Sequence, residues 1–241
     1  MNMGIIAASR LRAAGINPMF DNSVAYYRFD ETTGDAIDLI NAYNGTLNGN
    51  ISRNGEYYTF DVQREYVDIG DEDDFSFTDG AGNNTDFVIK TEVIFDAYIS
   101  LNRAWLVSKR ESLESGVQEW QFVYNSDELV FTIWNSSNNY THIRTEFIPT
   151  IGQKYIIGVT LNGTTISLFI DGVIEQTENL PVGFTFFNGS SVVKLGDETF
   201  GGIQTKLNLF GKLKETVIVK GSGWTQQNIT DNYNGGAGIT Y

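Results

Sequence analysis

The sequence has no cysteine, one histidine, three prolines and no long apolar run, and each shortage removes a class of function. Without cysteine there is no disulfide framework, no thiolate nucleophile and no cysteine-bound zinc. A single histidine, His142, excludes a multi-histidine metal site, and no Gly-x-Ser-x-Gly elbow is present to set a serine beside it. Its expected place is a surface or half-buried hydrogen-bonding position. Scarce proline means that few strands are forced to a sheet edge. No stretch approaches the roughly 18 consecutive apolar residues of a membrane-spanning helix. Basic residues are also short, with 16 Lys and Arg against 30 Asp and Glu, and the formal net charge is −14. With no basic cluster to displace counterions, nucleic acid is excluded as a partner. The same acidity favours solubility and attracts divalent cations.

What is present is a β pattern. Lys154 to Glu178 reads KYIIGVTLNGTTISLFIDGVIEQTE, three apolar runs separated by two turn dipeptides. In the first run Tyr155, Ile157, Val159 and Leu161 share one face, and in the second Ile166, Leu168 and Ile170 alternate with Thr165, Ser167 and Phe169. Asn162-Gly163 and Asp171-Gly172 suit two-residue hairpins whose central residues need positive φ. The stretch therefore predicts strand, tight turn, strand, tight turn, strand.

Turn residues recur at similar short spacing elsewhere, and strands are predicted over 56–61, 66–70, 86–99, 104–109, 119–125 and 128–135. This spacing marks an all-β sandwich. The 241 residues fit one such domain, since sandwiches run to about 200–250 residues. Met1 to Pro18 differs from the rest, with small residues, Arg10 and Arg12, and no aromatic before Phe20. It reads as an N-terminal arm over 1–18, ahead of a domain over 19–241. Two accounts of the arm stand side by side: it orders against another chain or the domain's own edge, or it is a disordered tail. Its apolar core is too short for a secretory signal, and the two arginines follow that core, so a protein matured without a cleaved signal is expected. Near the other end, WTQQNI predicts one short helix. Thr225 is its N-cap, Trp224 packs on Ile229, Tyr233 continues the same face, and Asn234-Gly235-Gly236 stops it.

Four stretches, taken in order, resemble the concanavalin A-like lectin and glucanase jelly roll, in its laminin G-like branch. They are AYYRFDETTGDAIDLINAYNGTLNG, KYIIGVTLNGTTISLFIDGV, KLGDETFGG followed by LFGKLKETVIV, and WTQQNITDNYNGG. The resemblance covers about residues 24–236 and rests on their joint order. It implies a two-sheet antiparallel jelly-roll sandwich with ligand or calcium sites in loops on one edge. Lys214 departs from the pattern, standing beside Glu215 where the family commonly has an acid. The arm and the Tyr-Asn-Gly-Gly close are similar to laminin G-like virion proteins of tailed bacteriophages. That likeness implies a non-enzymatic decoration protein on a virion head or tail, with other virion proteins as partners through the arm, a homo-oligomer, and glycans as possible ligands. The alternative is an extracellular soluble lectin or carbohydrate-binding module, and a glycoside hydrolase comes third.

The Glu-x-Asp-x-x-Glu strand that carries the catalytic pair of hydrolases with this fold is absent, so no catalytic residue is assigned. Calcium is the metal that suits an acidic, cysteine-free chain. Its candidate ligands are Asp71, Asp73, Asp74 and Asp79, with Asp197 next, and the competing account is a solvated acidic loop. For sugar binding, Trp134, Asn135, Asn138, Asn139 and Tyr140 put aromatic rings and amides into one loop. The plainer account of this segment is a hairpin loop with Trp134 packed on the core.

Overall fold

The computed structural model describes residues 22–62, 64–96, 103–110, 118–135, 139–196 and 209–238. Its strands, in chain order, begin with β1 (Ser23–Tyr27), β2 (Thr46–Asn48), β3 (Ser52–Arg53), β4 (Tyr58–Phe60) and β5 (Tyr66–Gly70). Then come β6 (Phe87–Phe95), β7 (Arg103–Arg110), β8 (Gln118–Asn125), β9 (Glu128–Trp134) and β10 (Tyr140–Glu146). The last are β11 (Lys154–Asn162), β12 (Thr165–Ile170), β13 (Val173–Asn179), β14 (Val193–Leu195) and β15 (Gly211–Lys220), followed by helix α1 (Gln226–Tyr233).

These strands form two antiparallel sheets, the all-β sandwich expected. Among the described residues one sheet has eight strands, ordered β13-β12-β11-β6-β15-β4-β3, with β1 also pairing β15. The other has seven, ordered β10-β9-β8-β7-β14-β5-β2. Alternation along each strand sends one set of side chains between the sheets. Tyr155, Ile157, Val159 and Leu161 all enter this core, as do Ile166 and Leu168. Aromatic rings fill its middle: Phe77 stacks on Phe87 at 4.0 Å and on Trp120 at 5.4 Å. The indole N–H of Trp120 donates to the Phe75 carbonyl (2.9 Å), so the ring is buried without losing its hydrogen bond.

The two tight turns differ in detail from each other. Ile170 pairs with Val173, leaving Asp171 and Gly172 in the turn, both at positive φ (46° and 88°). Asn162, however, pairs with Thr165, so the first turn is centred on Gly163-Thr164 and only Gly163 needs positive φ (65°). Glycine at the first central position is the II′ preference, which moves the turn one residue past the Asn-Gly reading.

A second apolar layer lies on the outward face of the eight-stranded sheet. Tyr26, Val88, Phe169, Val217 and Val219 meet Trp224 and Ile229 there, which puts α1 against the sheet. Thr225 caps the helix, its hydroxyl accepting from Asn228 N (3.3 Å), and Asn234 ends it at φ 46°. Gly158 lets this layer close, because a Cβ there would collide with the Phe169 ring and the Ile89 carbonyl. Beside the apolar patch, buried Lys90 pairs with Glu215, which also accepts from the Tyr26 hydroxyl (3.0 Å). Lys214 is the extra residue at an irregularity in the pairing of β15 with β6, and its ammonium lies 3.4 Å from Glu92.

Candidate functional site

The acids after β5 are held by different partners. Asp71 accepts from Lys109 Nζ (2.8 Å), a fully buried ammonium that also pairs with Glu119. Burial pushes the Glu119 carboxyl up, and Lys109 pulls it part of the way back. Asp74 accepts from the Tyr43 hydroxyl (2.8 Å). Asp73 opens a 3-10 turn, where its carbonyl accepts from Lys220 Nζ (2.8 Å) and its carboxylate stands 3.4 Å from the Asn188 amide. Asp79 accepts from the Asn83 side chain and from the backbone N–H groups of Asn83 and Ala81, which hold its carboxyl below the ordinary value.

Asp73 and Asp79 line one cavity of about 320 Å³ with Thr78, Gly80, Asn188 and Lys220, while Asp71 and Asp74 are not part of its lining. The Lys220 ammonium belongs to that cavity, and burial pushes its pKa down. Among the described residues, no group of three or more His, Asp or Glu side chains is placed to hold a metal ion. Asp197 lies outside the described residues.

The aromatic candidates come together. Trp134 ends β9, Tyr140 begins β10, and the two are cross-strand partners. Asn135 N donates to the Asn139 carbonyl (2.8 Å) and Asn139 N donates to Asn135 Oδ1 (3.0 Å), so both residues close the hairpin. Asn138 lies outside the described residues. Trp134 is buried, at 7% exposure, yet it is not in the core between the sheets. Leu129, Phe131 and Ile133 take the inward positions of β9, which turns Trp134 and Thr132 outward.

The outward position gives Trp134 a different set of neighbours. Its ring centroid is 5.1 Å from the Arg110 guanidinium carbon, and the same guanidinium lies 5.6 Å from the Trp105 ring. Arg110 Nη1 donates to Gln121 Oε1 (2.5 Å), and Gln121 Nε2 donates to Thr132 Oγ1 (3.3 Å). Strands β7, β8 and β9 thus build a fixed indole–guanidinium–indole stack, in which each cation–ring contact contributes about 0.5–2 kcal/mol. At its outer end stands Tyr140, 59% exposed, tilted against Trp134 at 5.9 Å. His142, the sole histidine, is the next ring on the same face of β10, 6.1 Å from Tyr140. An exposed ring held from below, with hydrogen-bonding groups beside it, has the make-up of a surface that stacks on a pyranose.

Trp105, Arg110 and His142 complete this site and were not in the sequence-based set. Tyr140 and His142 are two residues apart, a spacing that puts both on one strand face once β10 is recognised. Trp105 and Arg110 could be found only from the pairing of β7 with β8, which includes two register shifts.

No family model matches the chain, and no curated protein matches it. Solved structures match in fold. The botulinum neurotoxin serotype D binding domain aligns with TM-score 0.65 and 10% identity, over 89% of this chain and 52% of that one. The serotype D ligand binding domain in complex with N-acetylneuraminic acid gives 0.64 and 9%, over 89% and 51%. The type G receptor binding domain gives 0.61 and 14%, over 89% and 51%. The chain spans about half the length of these structures, and identities this low establish a shared fold alone.

Proposed function

We propose that this domain is a non-catalytic glycan-binding module used for adhesion and display, with the Tyr140, His142 and Trp134 face as its contact surface. The observation that carries the reading is an exposed Tyr140 ring resting on Trp134, which is itself clamped by Arg110. A ring already packed against a buried, clamped indole loses less freedom on binding than a free side chain, whose ordering costs about 0.5–1.5 kcal/mol. Fold likeness to one domain described as receptor binding, and to another described as ligand binding and in complex with N-acetylneuraminic acid, supports the same assignment. The missing Glu-x-Asp-x-x-Glu strand supports binding over turnover.

The test is a glycan array probed with the wild-type domain and with Tyr140→Ala, each with and without calcium. Binding by the wild type, independent of calcium and lost in the variant, is the expected result. Equal binding by both proteins overturns the contact surface, and release of shorter sugars from any array glycan overturns the non-catalytic role.

The finer part of the proposal places the module on a tailed-phage particle, attached through its arm, in the laminin G-like branch. It is supported by the likeness of the sequence to laminin G-like virion proteins. The arm itself, Met1 to Pro18, lies outside the described residues. Deleting Met1 to Pro18 is expected to abolish incorporation into particles, and full occupancy by the truncated protein contradicts it.

A further inference from the structure

We infer that the glycan is linear and uncharged and lies along β10, spanning several sugar units from Tyr140 to Arg144; this rests on the reading of Tyr140 as a glycan contact. Tyr140, His142 and Arg144 are alternate residues of one strand, with Ile143 between them buried in the core. All three therefore stand on the outward face. Among the described residues β10 pairs only with β9 and is the last strand of its sheet, and Tyr140, His142 and Arg144 are all exposed. At about 3.4 Å per residue, Tyr140 to Arg144 covers about 14 Å, longer than a single hexose. Trp134, Thr132 and Val130 are their cross-strand partners and run beside them on the same face for the same length.

The far end of the row differs chemically from the ring end. Arg144 Nη1 stands 3.6 Å from Glu128 Oε2, with the two side chains 58% and 36% exposed. An exposed ion pair this loose contributes little to stability. It does offer a donor beside an acceptor. A pair of neighbouring hydroxyls satisfies both, one donating to the carboxylate and the other accepting from the guanidinium. The ring end can stack on a sugar face and the far end can read hydroxyl positions, so one chain of sugars engages both only if it is extended.

Charge sets the other limit. Glu146 pairs across the strands with Glu128, so two carboxylates accompany the one arginine at this end. The whole chain carries −14. At this end, within a screening length of about 8–10 Å, an acidic sugar unit meets two carboxylates against the one guanidinium of Arg144. Neutral hydroxyls lose nothing there.

Isothermal titration of the full chain tests the inference. The probes are the neutral gluco-oligosaccharides of the cello, laminari and malto series, from glucose to the hexaose, with N-acetylneuraminic acid and oligogalacturonate as acidic arms. At least one neutral series is expected to gain about tenfold or more in affinity between monosaccharide and tetrasaccharide, with both acidic probes about tenfold weaker than that tetrasaccharide. Arg144→Ala is expected to weaken the tetrasaccharide several-fold and to leave the disaccharide unchanged. Affinity independent of length, or an acidic probe that binds more tightly than every neutral one, overturns the inference. If an acidic probe alone binds and Tyr140→Ala abolishes it, the contact surface stands and the inference falls. If binding of any probe survives Tyr140→Ala unchanged, or no probe binds, both fall.

Discussion

The two outward faces of the sandwich are made from similar strands and are completed in opposite ways. On the eight-stranded sheet the chain covers itself, with Trp224 and Ile229 sealing Phe169, Val217 and Val219, and with the charges of Lys90 and Glu215 paired beside them. On the seven-stranded sheet at β9 and β10, Trp134 is equally well packed, but the next ring, Tyr140, is left 59% exposed. Aromatic residues of the first face are spent on stability. Those of the second keep a free surface while resting on a rigid base, and a ligand can use such a surface without first ordering it.

The largest expected effect comes from opening the closed face. Trp224→Ala should cost about 3–5 kcal/mol, as for other buried large-to-small changes. In a domain of this size the melting temperature should fall by roughly 10 °C, while the folded fraction should bind glycan as before. Lys90→Met comes next, because it leaves the Glu215 carboxylate buried without its cation, at a cost of about 3 kcal/mol. Urea unfolding of the double variant Lys90→Met with Glu215→Leu should recover most of that loss.

Tyr140→Ala acts on the open face and should do the reverse, changing stability by less than about 0.5 kcal/mol while removing glycan binding. A smaller effect is expected where the closed face is tied down at the β12–β13 turn. There Gly172 O accepts from Gln226 Nε2 (2.7 Å) and Thr230 Oγ1 (3.1 Å), and Asp171 Oδ1 accepts from Ile156 N (2.8 Å). Burial is the main cause of a raised Asp171 pKa, from an ordinary 3.8. Its contribution to stability is therefore fully present below the ordinary value and is lost as pH rises through the raised one. Asp171→Asn keeps the acceptor and cannot ionise. Urea midpoints of variant and wild type should coincide near about pH 3 and separate in favour of the variant toward neutrality.

Local chemistry was legible in the sequence wherever one strand or turn decided it. The alternation of Tyr155, Ile157, Val159 and Leu161 gave a core face directly, and Thr225, Trp224 and Ile229 gave the helix with its cap and its staple. Tyr66 to Gly70 was bounded to the residue. Phe169 was harder, because alternation turns it away from the main core and only the distant Trp224 supplies its neighbour. Trp134 shows the same limit. Its burial was expected, but the burying group is Arg110 from β7, and strand order and register across β7, β8 and β9 are not encoded in any one segment. The acidic run after β5 looked like a single cluster in sequence, yet Lys109, Tyr43, Lys220 and Asn188 come from four other segments and draw its members apart.

Amide chemical-shift mapping compares the two faces most directly, using the isotopically labelled wild-type chain titrated with the tightest-binding neutral oligosaccharide. Shifts are expected to concentrate on Thr132, Trp134, Tyr140, His142 and Arg144, with Gln226 to Tyr233 unmoved. Perturbations centred on the helix, or on the Asp73 to Gly80 segment, with β9 and β10 silent, would contradict the account.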